Sequence, residues 1–161
     1  MAYQHKIDWS HLGSYSVSFT LIEPVKAAVL DFHLQLETEL GDIIRLHFKN
    51  PEAFKIRRLN FSSRVALVQA LIGKTPDDEI WALVNKLTDF RNEFAHGTPP
   101  PETVQKYADE LLEQVRKIWP AFMPTPDSDQ GIQLQILGHA MVAIRRFFGE
   151  IRETLTPSSA P

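Results

Sequence analysis

Apolar positions recur at three- and four-residue spacing along most of the chain, the period of helices that each bury one face. The first such stretch opens at Glu23-Pro24, where proline suits an initial turn, and runs to about His47. Its stripe is Val25, Val29, Phe32, Leu36, Leu40, Ile43 and Ile44, with Glu37 and Glu39 to the sides. Asn50-Pro51 closes it, and residues 51–60 predict no more than a helical turn. Ser62 or Ser63 is placed to cap a second helix through Val65, Val68, Leu71 and Ile72, with Gly73 as its left-handed end. Thr75-Pro76-Asp77-Asp78-Glu79 marks the start of a third, which carries Ile80, Leu83, Val84, Leu87, Phe90 and Phe94 and stops before Thr98 and three prolines. A fourth follows from Val104 to Trp119 and ends at Pro120. Asp127 or Ser128 caps a fifth that runs through Ile132, Ile136, Ala140, Ile144, Phe148 and Ile151. The expected fold is an all-α antiparallel bundle of about five helices, the first and fifth being longest.

Two segments break the period. Residues 1–22 form a polar lead-in anchored by aromatics such as Trp9, and within it Tyr15, Val17, Phe19 and Leu21 alternate with Ser16, Ser18 and Thr20. That alternation predicts a short extended arm, although no second stretch of the same pattern is present to pair with it. The bundle itself is expected over 23–153, with a frayed tail over 154–161. At 161 residues the chain is the size of one domain.

Composition narrows the chemistry. A net charge of -3 argues against a broad electrostatic grip on nucleic acid, so any such contact is local. The chain contains no cysteine, which removes disulfides and thiolate metal sites, and no Asp/Glu/His cluster has ligand spacing. No metal or other cofactor is therefore expected. With no signal-peptide core at the start and no apolar run of membrane-spanning length, the expectation is a cytoplasmic protein with no membrane contact.

Functional chemistry concentrates at the end of the third helix, in Asp89-Phe90-Arg91-Asn92-Glu93-Phe94-Ala95-His96-Gly97. A guanidinium can grip phosphate oxygens with a fixed fork, and an imidazole can move a proton near neutral pH. At about 100° per residue, Arg91 falls beside the buried stripe, while Asn92 and His96 share the outer flank with Trp81, Asn85 and Thr88. A partly buried Arg91 needs a partner: Glu37 or Glu39, helix-end carbonyls, or a phosphate. His96 could equally serve as a cation at the negative end of the helix dipole. Lys55, Arg57, Arg58 and Arg64 form a second, smaller basic concentration, and Trp81 could stack a base or meet a partner chain.

The Arg-(polar)-x3-His pattern of Arg91, Asn92 and His96, together with the apolar residue before the Arg and the helix Phe61 to Gly73 preceding it, resembles the HEPN superfamily. That resemblance implies a symmetric homodimer in which two motif helices line one cleft, and a metal-independent endoribonuclease of the toxin or phage-defence kind. Arg91 would hold the scissile phosphate, His96 would transfer protons and Asn92 would orient either one. Trp81, Arg57, Arg58 and Arg64 would contact RNA. Some HEPN toxins carry a tyrosine two residues after the His, the target of an antitoxin nucleotidyltransferase. Thr98 stands there in this chain, so neutralisation by that route is not expected, while the resemblance still allows an antitoxin or regulatory protein as partner. A similar helical arrangement in the mannitol operon repressor family implies the alternative, a non-catalytic regulatory or protein-binding module.

Overall fold

The computed structural model describes residues 15–53, 55–73, 78–125 and 131–155. Within them lie five α-helices and two short 3-10 turns: α1 (Tyr15–His47), the turns Pro51–Ala53 and Ile56–Arg58, α2 (Phe61–Ile72), α3 (Asp78–Ala95), α4 (Pro101–Ile118) and α5 (Gly131–Leu155). The described residues form no strand, and α1 and α5 are the longest helices.

The extended arm expected over Tyr15–Leu21 is instead the beginning of α1, so the helix starts well before Glu23. With no second strand to accept its backbone bonds, this stretch satisfies them within a helix. Pro24 consequently lies inside α1 rather than in its first turn, where its missing N–H leaves the carbonyl of Thr20 without the usual i→i−4 donor. Residues 1–14, including Trp9, lie outside the described residues.

The helix ends reflect local side-chain chemistry. The carboxamide of Asn60 accepts the backbone N–H of Ser63 at 2.8 Å, so the cap of α2 is Asn60 and not Ser62 or Ser63. Gly73 ends that helix with φ +73°, as its position suggested. Pro100 stands before α4 in extended conformation and Pro101 begins it, where a missing donor costs nothing. The caps anticipated at 75–77 and at 127–128 lie outside the described residues. At the other end, α5 continues through Thr154 to Leu155, past the expected start of the tail.

One core joins all five helices, with Leu36, Leu40, Leu83, Phe90, Leu111, Ile144 and Phe148 among its fully buried side chains. Helices α3 and α4 run antiparallel. Lys86 Nζ meets Glu110 Oε2 at 2.7 Å, and the Phe90 ring stacks on Tyr107 at 5.1 Å. The Tyr107 hydroxyl donates to Glu93 Oε1 at 3.0 Å. Helices α4 and α5 depart from a purely antiparallel bundle. Gln133 donates to Gln105 at 2.9 Å near the start of both helices, and Ile118 lies beside Ala143 and Phe147 further along both, so the two run in the same direction. The chain returns between them along α5, where Phe122 packs on His139 at 3.9 Å and Thr125 exchanges two 2.9 Å hydrogen bonds with Gln135.

Candidate functional site

Helix α3 ends at Ala95, and the N–H of His96 still bonds the carbonyl of Asn92 at 3.2 Å. Gly97, at φ +146°, then breaks the helix in a conformation that other residues rarely adopt. Pro99 is buried and fixes the turn toward α4. This termination leaves the side chains of Asn92 and His96 exposed on the last turn and Arg91 half-buried one position earlier.

Neither carboxylate anticipated as a partner for Arg91 is bound to it. Glu39 faces α5, where Arg152 closes on one of its oxygens and Arg145 lies 3.9 Å from the other. On the α2 side of α1, the backbone carbonyl of Glu37 accepts Arg64 Nη1 at 3.0 Å. Among the described residues Arg91 makes no ion pair, and its hydrogen bond is a long one of 3.4 Å to the Asn92 carboxamide. Its charge acts on His33 of α1, a ring only 8% exposed and packed 4.2 Å from Phe61 of α2. Burial first, and the Arg91 guanidinium second, hold the His33 imidazole below its ordinary pKa against the opposing pull of Glu37. His33 therefore sits as a neutral ring beside Arg91 and adds no competing positive charge at neutral pH.

The other residues singled out in the sequence separate. Trp81 does not share an outer flank with Asn92 and His96. It is 7% exposed, and its ring lies 5.9 Å from Phe147 and 5.8 Å from Phe148, in the core against α5. An indole so enclosed offers no face to a base. Arg64 is half-buried and bonds two backbone carbonyls, Glu37 on α1 and Leu59 ahead of α2 at 3.2 Å, so it ties the connector to the bundle. Arg57 and Arg58 are exposed, as a substrate contact requires. They line a groove of about 570 Å³ together with Lys55, Glu52 and Arg45, the last standing outside the basic concentration expected from the sequence. Its signal was present: six Lys and Arg residues stand in the stretch from Arg45 to Arg64, with Glu52 the single acid among them.

The side chains of Asn92 and His96, four residues apart, make no hydrogen bond to each other, and none joins Arg91 to His96. Between α2 and α3 a shallow groove of about 160 Å³ runs past Phe61, Ser62, Gln69, Asn85 and Thr88, one helical turn before Arg91. No three acidic or histidine side chains cluster as a metal-ligand set among the described residues, and none of their helices is long and apolar enough to cross a membrane. The chain matches no protein-family model, no curated protein and no solved structure.

Proposed function

We propose that the end of α3 is the phosphate-handling site of a metal-independent endoribonuclease of the HEPN-like kind, acting as a symmetric homodimer. The observation that carries this reading is the half-buried Arg91 guanidinium, which has no carboxylate partner among the described residues and lies beside a neutral His33. A cation held in this way retains N–H donors for the oxygens of a phosphodiester. In the reaction, the RNA 2'-oxygen bonds to phosphorus as the bond to the 5'-oxygen breaks. Arg91 stabilises the charge on the pentavalent phosphorus, and His96 takes the 2'-hydroxyl proton or delivers one to the leaving 5'-oxygen. The products are a 2',3'-cyclic phosphate and a free 5'-hydroxyl. Asn92, already bonded to Arg91, orients that guanidinium. Pairing two α3 ends across a dimer axis supplies the proximity of Arg and His that one chain does not provide.

That same lack of contact between Arg91 and His96 favours a second reading, a non-catalytic HEPN-like regulatory or protein-binding module resembling the mannitol operon repressor family. Cleavage separates the two. Under the first reading purified protein cuts RNA in the presence of a chelator, and Arg91→Ala and His96→Ala each abolish cutting. Equal cleavage by both variants, or none by the native chain, overturns it.

A further inference from the structure

Helices α2 and α3 both pack on α1 but barely on each other, which leaves a cleft between them. This is the groove of about 160 Å³ that runs past Phe61 and Thr88. Val65 and the half-buried Phe61 line it with apolar surface, whereas Ser62 and Gln69 on α2 and Asn85 on α3 bring polar side chains to it. Among the described residues none of these three makes a side-chain hydrogen bond, while Thr88 beside them donates to the Val84 carbonyl at 2.8 Å. Two carboxamides from opposite walls thus keep their donors and acceptors for an occupant of the groove. Its position ties it to Arg91. Asn85 and Thr88 precede Arg91 by six and three residues, about 9 and 4.5 Å along the helix axis. On the α2 side the Phe61 ring lies 4.2 Å from His33, the ring on which the Arg91 guanidinium acts. A group held between α2 and α3 is therefore a neighbour of a phosphate held by Arg91. Size restricts that group: pockets for drug-sized ligands measure about 300–1,000 Å³, and this smaller one suits a single flat ring system.

We propose that the groove between α2 and α3 is a nucleobase subsite that selects adenine beside the phosphate at Arg91, with Asn85 and Gln69 reading the edge of the base. The proposal rests on the reading of Arg91 as a phosphate-holding residue and adds a base preference to it. Single-stranded RNA is recognised through bases that splay out, pack on aromatic rings and hydrogen-bond along their edges, and Phe61 with two carboxamides supplies both kinds of contact. A carboxamide matches adenine in bidentate fashion, its oxygen accepting from N6 and its nitrogen donating to N7. None of the described residues lining the groove is charged, which suits a neutral base and not a second phosphate.

The test uses the full chain and two 2'-O-methyl oligonucleotides, which cannot be cleaved through their 2'-oxygens: a short strand of uridines, and the same strand with one central adenine. The native chain should bind the adenine-containing strand about tenfold more tightly, the discrimination that one bidentate carboxamide contact gives. Asn85→Leu and Gln69→Met, which keep side-chain shape without the amide, should each reduce that preference, and the double variant should bring the two affinities together. Affinity of the variants for the all-uridine strand should stay at the native value, which marks an intact fold and an unaltered Arg91. Failure of the native chain to bind either strand, equal native affinity for the two, or a preference that survives in the double variant overturns the subsite. A preference lost in the double variant, with no cleavage of unmodified RNA by the native chain, leaves the subsite standing and removes the nuclease reading. Chelator-resistant cleavage that needs Arg91 and His96 but is indifferent to adenine does the reverse.

Discussion

Replacing Trp81 by alanine separates a core role from a surface role. The indole is 7% exposed and packs against both Phe147 and Phe148, so truncation leaves a cavity where α3 meets α5. A buried tryptophan removes about 150–250 Å² from water. At about 25 cal/mol per Å² that corresponds to about 4–6 kcal/mol, an upper figure because unfolded chains already bury part of it. Measured large-to-small losses of about 3–5 kcal/mol agree. Taking about 4 kcal/mol, and about 2–4 °C per kcal/mol for a chain of this size, Trp81→Ala should lower Tm by about 8–16 °C. Urea unfolding followed by circular dichroism gives the free-energy difference directly, and Trp81→Phe should recover most of it. A loss below about 1 kcal/mol, accompanied by weakened RNA binding, would refute the reasoning and return the ring to the surface.

Three further outcomes follow from named contacts. Because His33 titrates lower when folded than when unfolded, its contribution to stability is full above about pH 6.5 and declines as pH falls below that value. His33→Leu should flatten the dependence of Tm on pH between about 7 and 5. Burial, then the bond to Glu93, pushes the Tyr107 hydroxyl up to about 12, so stability should fall as pH rises from about 10, where the unfolded chain ionises first. Tyr107→Phe should remove that alkaline decline while costing about 1 kcal/mol at neutral pH, read by denaturant titration. Asn60→Ala removes the α2 cap and should cost about 1 kcal/mol, with Asn60→Ser largely restoring it.

The helical class was legible because the apolar residues of each stretch already share one face, and Val29, Leu36, Leu40, Leu83, Leu87 and Ile144 are all buried as that pattern requires. Period alone failed at Tyr15–Leu21, where seven alternating residues fit a strand locally but had no neighbour to pair with. It also failed at Trp81. A helical wheel assigns an angle to a side chain, but not which neighbouring helix fills that angle, and here α5 brings Phe147 and Phe148 against the indole. A pairing of Glu39 with Arg91 fails for the same reason: the counter-charges of Glu39, Arg145 and Arg152, lie more than 100 residues away in sequence. The placement of Arg91 beside the core and of His96 on the outside was legible, because both follow from position relative to Phe90 and Phe94 on one helix.

The return of the chain along α5 also affects the order of assembly during synthesis. Helices α3 and α4 are joined by a short turn and pack on one another through residues close in sequence, so they can pair early. Helix α1 packs extensively against α5, which leaves the ribosome after the other four helices. Until then the shared core lacks the side chains that α5 contributes, Ile136, Ile144 and Phe148 among them, and the nascent chain carries a sticky apolar face. Ribosome stalling before residue 131 should therefore yield chains that depend on chaperones, whereas release of the complete α5 lets the first helix close the core.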